Sequence, residues 1–142
     1  MIIIDPTVRK AIFNDGISAF PDECCGFLFG KENGAGHRSI TEILVVNNAK
    51  EGDKRRRFAI SPLDYLRAEQ YADEQELLLL GVYHSHPNHP AIPSEHDRVA
   101  AQPFFSYVIV SIVEGKPDDL RSWRLTDDAS FIEENVGIVT YS

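Results

Sequence analysis

The stretch LLLLGVYHSHPNHPAIPSEHD, residues 77–97, decides how this chain is read. Its first seven residues, Leu77 to Tyr83, form a near-continuous apolar run, the pattern of a central strand covered on both faces. The run delivers His84 and His86 two residues apart. Side chains at i and i+2 of a strand share a face, so the two imidazoles can converge on one cation while Tyr83 and Ser85 point the other way. Asp97, eleven residues after His86, can supply a third ligand. Two histidines and a carboxylate leave a fourth tetrahedral position open, the arrangement of catalytic rather than structural zinc.

Working outward, Pro87 to Pro93 holds three prolines and reads as an ordered loop. Ser94 then caps a short helix from Glu95 to about Gln102, with Asp97 in its first turn. Upstream, Asp5-Pro6 pairs an N-cap with a first-turn proline and predicts a helix from Pro6 to about Ala19, ended by Pro21. Cys25 to Lys31 and His37 to Asn47 read as two strands of a hairpin around the NGAG turn at Asn33 to Gly36. Phe58 and Ile60 suggest a brief strand. Ser61-Pro62 repeats the cap signal and opens a helix to about Gln75, with Leu63, Leu66 and Ala68 available to the core. Tyr107 to Val113, Leu120 to Leu125 and Phe131 to Val139 are three more strands, separated by the EGKPDD and TDD turns. Three helices and several strands predict an α/β or α+β domain, a mixed sheet with helices on its faces.

The 142 residues, 43% of them apolar, suit one domain over residues 1–142. A formal charge of -8 argues against nucleic acid or an anionic membrane as the main partner. The two cysteines are the adjacent Cys24 and Cys25, which cannot build a disulfide framework and suit a reducing cytoplasm. The start, MIIIDP, lacks the basic region of a secretion signal, and no run approaches the length of a membrane span.

Each candidate has an ordinary reading. A lone His-x-His is weak evidence, and Ser94-x-x-Asp97 is by itself a helix capping box, although capping and ligation can coexist. HSHPNH partly matches the HxHxDH pattern of metallo-β-lactamase-type hydrolases, but such a site needs a histidine far downstream. The five histidines are His37, His84, His86, His89 and His96, so His89 and His96 read as exposed residues, and the alternative of a site of His84, His86 and His89 gains no support from the prolines around it. Activated water needs a proton acceptor, and Glu23, just before the CCGFLFG strand, is the candidate. Cys25 reads as a small buried residue beneath that glutamate, and Cys24 has no assigned role. Lys54-Arg55-Arg56-Arg57, flanked by Glu51 and Asp53, reads as a solvated loop, with an acidic substrate protein near the cleft as the functional alternative.

PDECCGFLFG followed by GVYHSHPNHPAIPSEHD resembles the JAMM (MPN+) metalloproteases. In that family a glutamate precedes a Cys-Gly strand, and His-x-His is followed by seven residues beginning with Pro, then Ser, two residues and Asp. Those positions here are Glu23, Cys25-Gly26, His84, His86-Pro87, Ser94 and Asp97. The resemblance implies that His84, His86 and Asp97 bind one zinc per chain, that Glu23 is the general acid/base and that the Ser94 hydroxyl stabilises the oxyanion. It also implies a JAMM/MPN (cytidine deaminase-like) fold with a curved mixed sheet. Among its members the chain looks most like the small prokaryotic ones, which process ubiquitin-like sulfur-carrier proteins after a C-terminal Gly-Gly. Two alternatives stand beside that expectation: a non-catalytic MPN-type module that binds partner proteins, and a metal-dependent hydrolase of a non-peptide substrate. Either a monomer or a homodimer is compatible with the sequence.

Overall fold

Local signals start the two long helices. The structure, a computed structural model, describes residues 1–137. Asp5 accepts the Thr7 N–H at 2.8 Å and Pro6 takes the first helical position, giving α1 (Pro6–Ala19). Ser61 accepts the Asp64 N–H at 3.2 Å and opens α2 (Pro62–Glu74). The buried face of α2 is Ala68 and Ala72, not the leucines: Leu63 and Leu66 are 53% and 51% exposed. The small alanines let the helix approach the sheet closely, while Tyr65 and Tyr71 pack edge-on against Phe27 and Phe29.

Among the described residues eight strands form one mixed sheet: β1 (Ile2–Ile4), β2 (Cys25–Glu32), β3 (Arg38–Val46), β4 (Leu78–Pro87), β5 (Ser106–Val113), β6 (Lys116–Leu125), β7 (Phe131–Glu134) and β8 (Val136–Gly137). Their order is β7-β6-β5-β4-β2-β3-β1-β8. β4 lies between antiparallel β2 and parallel β5, and it is buried from Leu80 onward. It runs four residues beyond the expected end at Tyr83, because β5 continues to pair it through Pro87↔Ile112.

The expected final strand, Phe131 to Val139, is two strands instead, and its last two residues lie outside the described ones. β7 pairs with β6 at one end of the sheet, β8 pairs with β1 at the other, and Asn135 alone separates them. One residue cannot span an open sheet, so the sheet curls until its two ends meet. Beside that junction Glu134 accepts from the hydroxyls of Ser106 and Ser122 at 2.9 Å each, and the fully buried Arg38 donates to Ser106 at 3.1 Å. Two more expectations are corrected: β6 begins at Lys116, so that the turn shrinks to Glu114-Gly115, and residues 58–60 form no strand.

The core has two halves, one on each sheet face. Val8 and Ile12 of α1 pack with Leu80, Tyr83, Val108, Val110 and Ile112. On the other face Ala68 and Ala72 of α2 pack with Phe27, Phe29, Val82 and Tyr107. Val82, His84 and His86 alternate along one face of β4, whereas Tyr83 turns toward α1 and donates its hydroxyl to Asp15 at 2.7 Å. The third helix, α3 (Glu95–Ala100), is shorter than the sequence predicts. Pro103 stands two residues beyond its C-cap Ala101, which is already extended.

Candidate metal centre

The two histidines enter on the last four residues of β4, and Asp97 enters from the first turn of α3. His84 Nε2 lies 3.4 Å and His86 Nε2 3.2 Å from the same Asp97 oxygen, Oδ2, and the two ring nitrogens are 3.1 Å apart. His86 Nδ1 faces the Pro90 carbonyl at 2.7 Å. A carbonyl only accepts, so Nδ1 carries the proton, and in the neutral ring Nε2 is a lone pair aimed at its neighbours. Lone pairs and a carboxylate converging within hydrogen-bonding distance lack protons to separate them all, and a cation meets that need. Glu23 joins from the loop before β2: it is 3% exposed, and its carboxyl lies with both histidine nitrogens inside a 4.8 Å span. The Glu23, His84 and His86 donors can together hold a metal ion. Two polar atoms at this cluster, Glu23 Oε1 and His84 Nδ1, are buried without a hydrogen-bond partner among the described residues. For Glu23 this is the orphan expected where a water or cation belongs.

The electrostatics agree with the donor set. Burial, and then the carboxylates of Asp97 and Asp53, push the Glu23 carboxyl up to about 9. Burial lowers the His84 pKa against the pull of Asp97, so the imidazole is neutral as a ligand must be. The short His84–Asp97 contact is therefore not an ion pair. Burial alone would raise the Asp97 carboxyl; a proton on the facing His84 or His86 nitrogen, together with the Ser94 N–H, outweighs it and holds the group well below the usual carboxylate range as long as that proton is present.

Ser94 and Asp97 form the expected capping box: the Ser94 hydroxyl accepts the Asp97 N–H at 3.1 Å, and Asp97 Oδ2 accepts the Ser94 N–H at 2.8 Å. Since the hydroxyl is used there as an acceptor, its proton remains available. His89 and His96 are exposed. Cys25 is fully buried with its thiol pushed up to about 12, and burial raises Cys24 further, so both are inert packing groups.

Several supports carry no sequence signal. The Glu23 N–H donates to the Lys54 carbonyl at 2.7 Å. The Asn48 side-chain amide donates to the carbonyls of Glu23 at 3.2 Å and Arg57 at 3.1 Å, and its oxygen accepts the N–H groups of Lys50 and Ala59 at 3.0 Å each. Phe58, expected in a strand, stacks instead on the His84 ring with centroids 4.4 Å apart. The buried Ser85 hydroxyl accepts the Cys24 N–H at 2.8 Å, fastening the Glu23 segment to the histidine strand. Gly26 has its own reason: a Cβ there would stand 2.4 Å from the Tyr83 ring.

Comparison with known proteins places this geometry. The sequence model of prokaryotic homologues of the JAB domain matches residues 6–126. The CysO-cysteine peptidase of Mycobacterium tuberculosis is 35% identical over 120 residues, covering 84% of this chain and 78% of that protein. The desampylase of Pyrococcus furiosus is 25% identical over 120 residues, covering 84% and 79%. A solved protein from Desulfitobacterium hafniense superposes with a TM-score of 0.86 at 28% identity, covering 99% of this chain and 94% of the other. Matched from the start of α1 to the end of β6, through the Glu23 loop, β4 and α3 that carry the donors, the chain belongs to the family of prokaryotic homologues of the JAB domain.

Proposed function

We propose that this chain is a zinc-dependent peptidase that hydrolyses the amide bond after the C-terminal Gly-Gly of a ubiquitin-like sulfur-carrier protein. The observation that carries the chemistry is the convergence of His84 Nε2, His86 Nε2 and Asp97 Oδ2 within 3.4 Å, with the buried Glu23 carboxyl beside them. Similarity to a CysO-cysteine peptidase and a desampylase supports the substrate class.

His84, His86 and Asp97 would hold the zinc through donor atoms 3.1–3.4 Å apart, which leaves Glu23 beside them for proton transfer. When bound, the metal supplies Lewis acidity, polarising the scissile carbonyl and acidifying water. Glu23 takes a proton from the attacking water and returns it to the departing amine nitrogen as the C–N bond breaks. Its burial beside the donor atoms suits a group that must hold that proton between the two transfers, and the bound cation would keep the carboxylate ionised for the first of them. The Ser94 hydroxyl donates to the carbonyl oxygen as negative charge develops. A Gly-Gly tail fits because an extended chain without side chains passes a narrow cleft and can add as a strand to a sheet edge.

Intact-mass analysis of a Gly-Gly-tailed carrier extended by a few residues, incubated with this protein, tests the reading. The expected result is loss of only the residues after Gly-Gly, abolished by a zinc chelator. An intact carrier after incubation with fully zinc-loaded protein would overturn it. Glu23→Gln should retain one zinc per chain by metal analysis and lose about a thousandfold in kcat.

A further inference from the structure

Two cavities meet at the donor cluster. One of about 520 Å³ is lined by Glu23, Arg56, His86, His89 and Ser94. The other, about 340 Å³, lies against His84 and Asp97 and is walled by Phe58, Tyr65 and Tyr107. The group that returns the proton has to stand where the amine departs, and Glu23 lines the first cavity and not the second. On the peptidase reading, whatever follows the scissile bond therefore occupies the first cavity.

We infer that Arg56 is a specificity residue there: its guanidinium receives the terminal carboxylate of a short peptide extension, so the chain favours main-chain extensions of its carrier over isopeptides to an internal lysine. This rests on the peptidase reading for its direction and on the geometry for its cation. Of the run Lys54 to Arg57, Arg56 is the member that lines this cavity. Its loop is pinned on both sides to the backbone of Glu23: Lys54 O accepts the Glu23 N–H, and Asn48 bridges the carbonyls of Glu23 and Arg57. The loop that carries the cation is thus held in register with the Glu23 backbone. Arg56 is 78% exposed, and its ion pair with Asp53 is long, 4.0 Å, and solvated, so it holds the guanidinium weakly. In a chain of net charge -8, a guanidinium facing a cavity selects for an anion.

The chemistry separates two leaving groups. A short extension carries its α-carboxylate into the cavity, where the planar fork of arginine can bind it through two parallel hydrogen bonds. An isopeptide brings lysine methylenes followed by a protein backbone, with no terminal anion nearby.

The test uses zinc-loaded protein and Gly-Gly carriers extended by one, two or three residues, each as the free acid and as the C-terminal amide. At the length that reaches Arg56, kcat/KM should favour the acid by about five- to tenfold. Arg56→Gln should bring the ratio to about one, Arg56→Lys should keep part of it, and Arg56→Glu should invert it. Lys50→Gln, on the wall of the second cavity, should leave the ratio standing. Zinc content and melting temperature check that the variants are folded. A ratio of one at all three lengths in the wild type, or a preference that survives Arg56→Gln, would overturn the inference. Loss of the preference in Lys50→Gln instead would place the carboxylate in the wrong cavity and overturn it too. Calorimetric binding of the same acid and amide peptides to zinc-loaded Glu23→Gln separates the two readings. Acid-selective binding without any hydrolysis by the wild type defeats the peptidase reading alone, whereas equal binding of acid and amide defeats this one.

Discussion

Asn48→Ala should cripple the site from a position outside it. The side chain holds four backbone groups with four hydrogen bonds of 3.0–3.2 Å, one to the carbonyl of Glu23 and the others to Lys50, Arg57 and Ala59. A buried hydrogen bond contributes about 1 kcal/mol net; Asn48 is half-buried and water can replace part of what is lost, so about 2 kcal/mol in total is a fair expectation. If roughly half of that falls on the Glu23 side, the carboxyl's placement weakens by about 1 kcal/mol, or somewhat under tenfold in kcat. Asn48→Asp should be worse for turnover, since it keeps the acceptor but turns an oxygen toward the two carbonyls the amide served. Urea denaturation with a chelator present would read the stability change, and kcat on a Gly-Gly-extended carrier the functional one. The discriminating pattern is a fall in kcat with zinc stoichiometry unchanged. If Asn48→Ala kept kcat within twofold of wild type while losing the expected stability, the bonds through Lys54 and Ser85 would suffice to place Glu23 and the strut argument would fail.

The metal-free protein should lose stability as pH rises from about 7 to 8. Glu23 is raised from 4.5 to about 9 in the folded state, so above 4.5 the unfolded chain ionises it first and gains on the folded one. The chosen window lies above the lowered His84 titration and below the unfolded thiols, and Glu23→Gln should flatten the slope of melting temperature against pH. An unchanged slope in that variant would remove Glu23 as the cause. Gly26→Ala should cost about 2–3 kcal/mol in urea denaturation, because the new Cβ meets the Tyr83 ring at 2.4 Å and the Leu44 carbonyl at 2.5 Å, and Tyr83 is fixed by Asp15. Gly34→Ala, with nothing within 4 Å of a new Cβ, should change stability by less than about 0.5 kcal/mol, and equal costs at both positions would refute the packing argument.

The parts of the fold that were legible in sequence are those written locally. Asp5-Pro6 and Ser61-Pro62 open helices through bonds to residues two or three positions away, and alternation puts His84 and His86 on one face of β4. What failed depended on distant partners. Leu63 and Leu66 looked like core residues of α2, but the helix turns Ala68 and Ala72 to the sheet, with Tyr65 and Tyr71 edge-on against Phe27 and Phe29, and leaves the two leucines outside. Phe58 has the composition of a strand residue and no strand to pair with; its place is set by the His84 ring. The division of the last strand at Asn135 follows from where β1 lies after the sheet has curled, which no local pattern encodes. At the site, ligand-type residues announce themselves by identity, while Asn48, Pro90 and Arg56 act through a carbonyl, an amide or a loop position that other residues share. Nothing in Asn47-Asn48 distinguishes the strut from its exposed neighbour.

The joining of β7 and β8 through Asn135 also governs how the molecule bears load. β1 and β8 run parallel, paired at Ile2↔Val136 and Ile3↔Gly137, with the Ile2 N–H donated to the Asn135 carbonyl at 2.9 Å. Tension applied between the amino terminus and the chain beyond Gly137 pulls these neighbours along their common axis in opposite directions. The hydrogen bonds are then strained together in shear rather than opened one after another. The clasp is only two pairs long, yet the same pull on β1 also loads its parallel pairing with β3, from Ile2↔Arg38 to Ile4↔Ile40. Force extraction from either end, as by an unfoldase, therefore meets its first resistance where the sheet's two margins meet, at a seam held on one side by the buried Arg38 and on the other by Glu134.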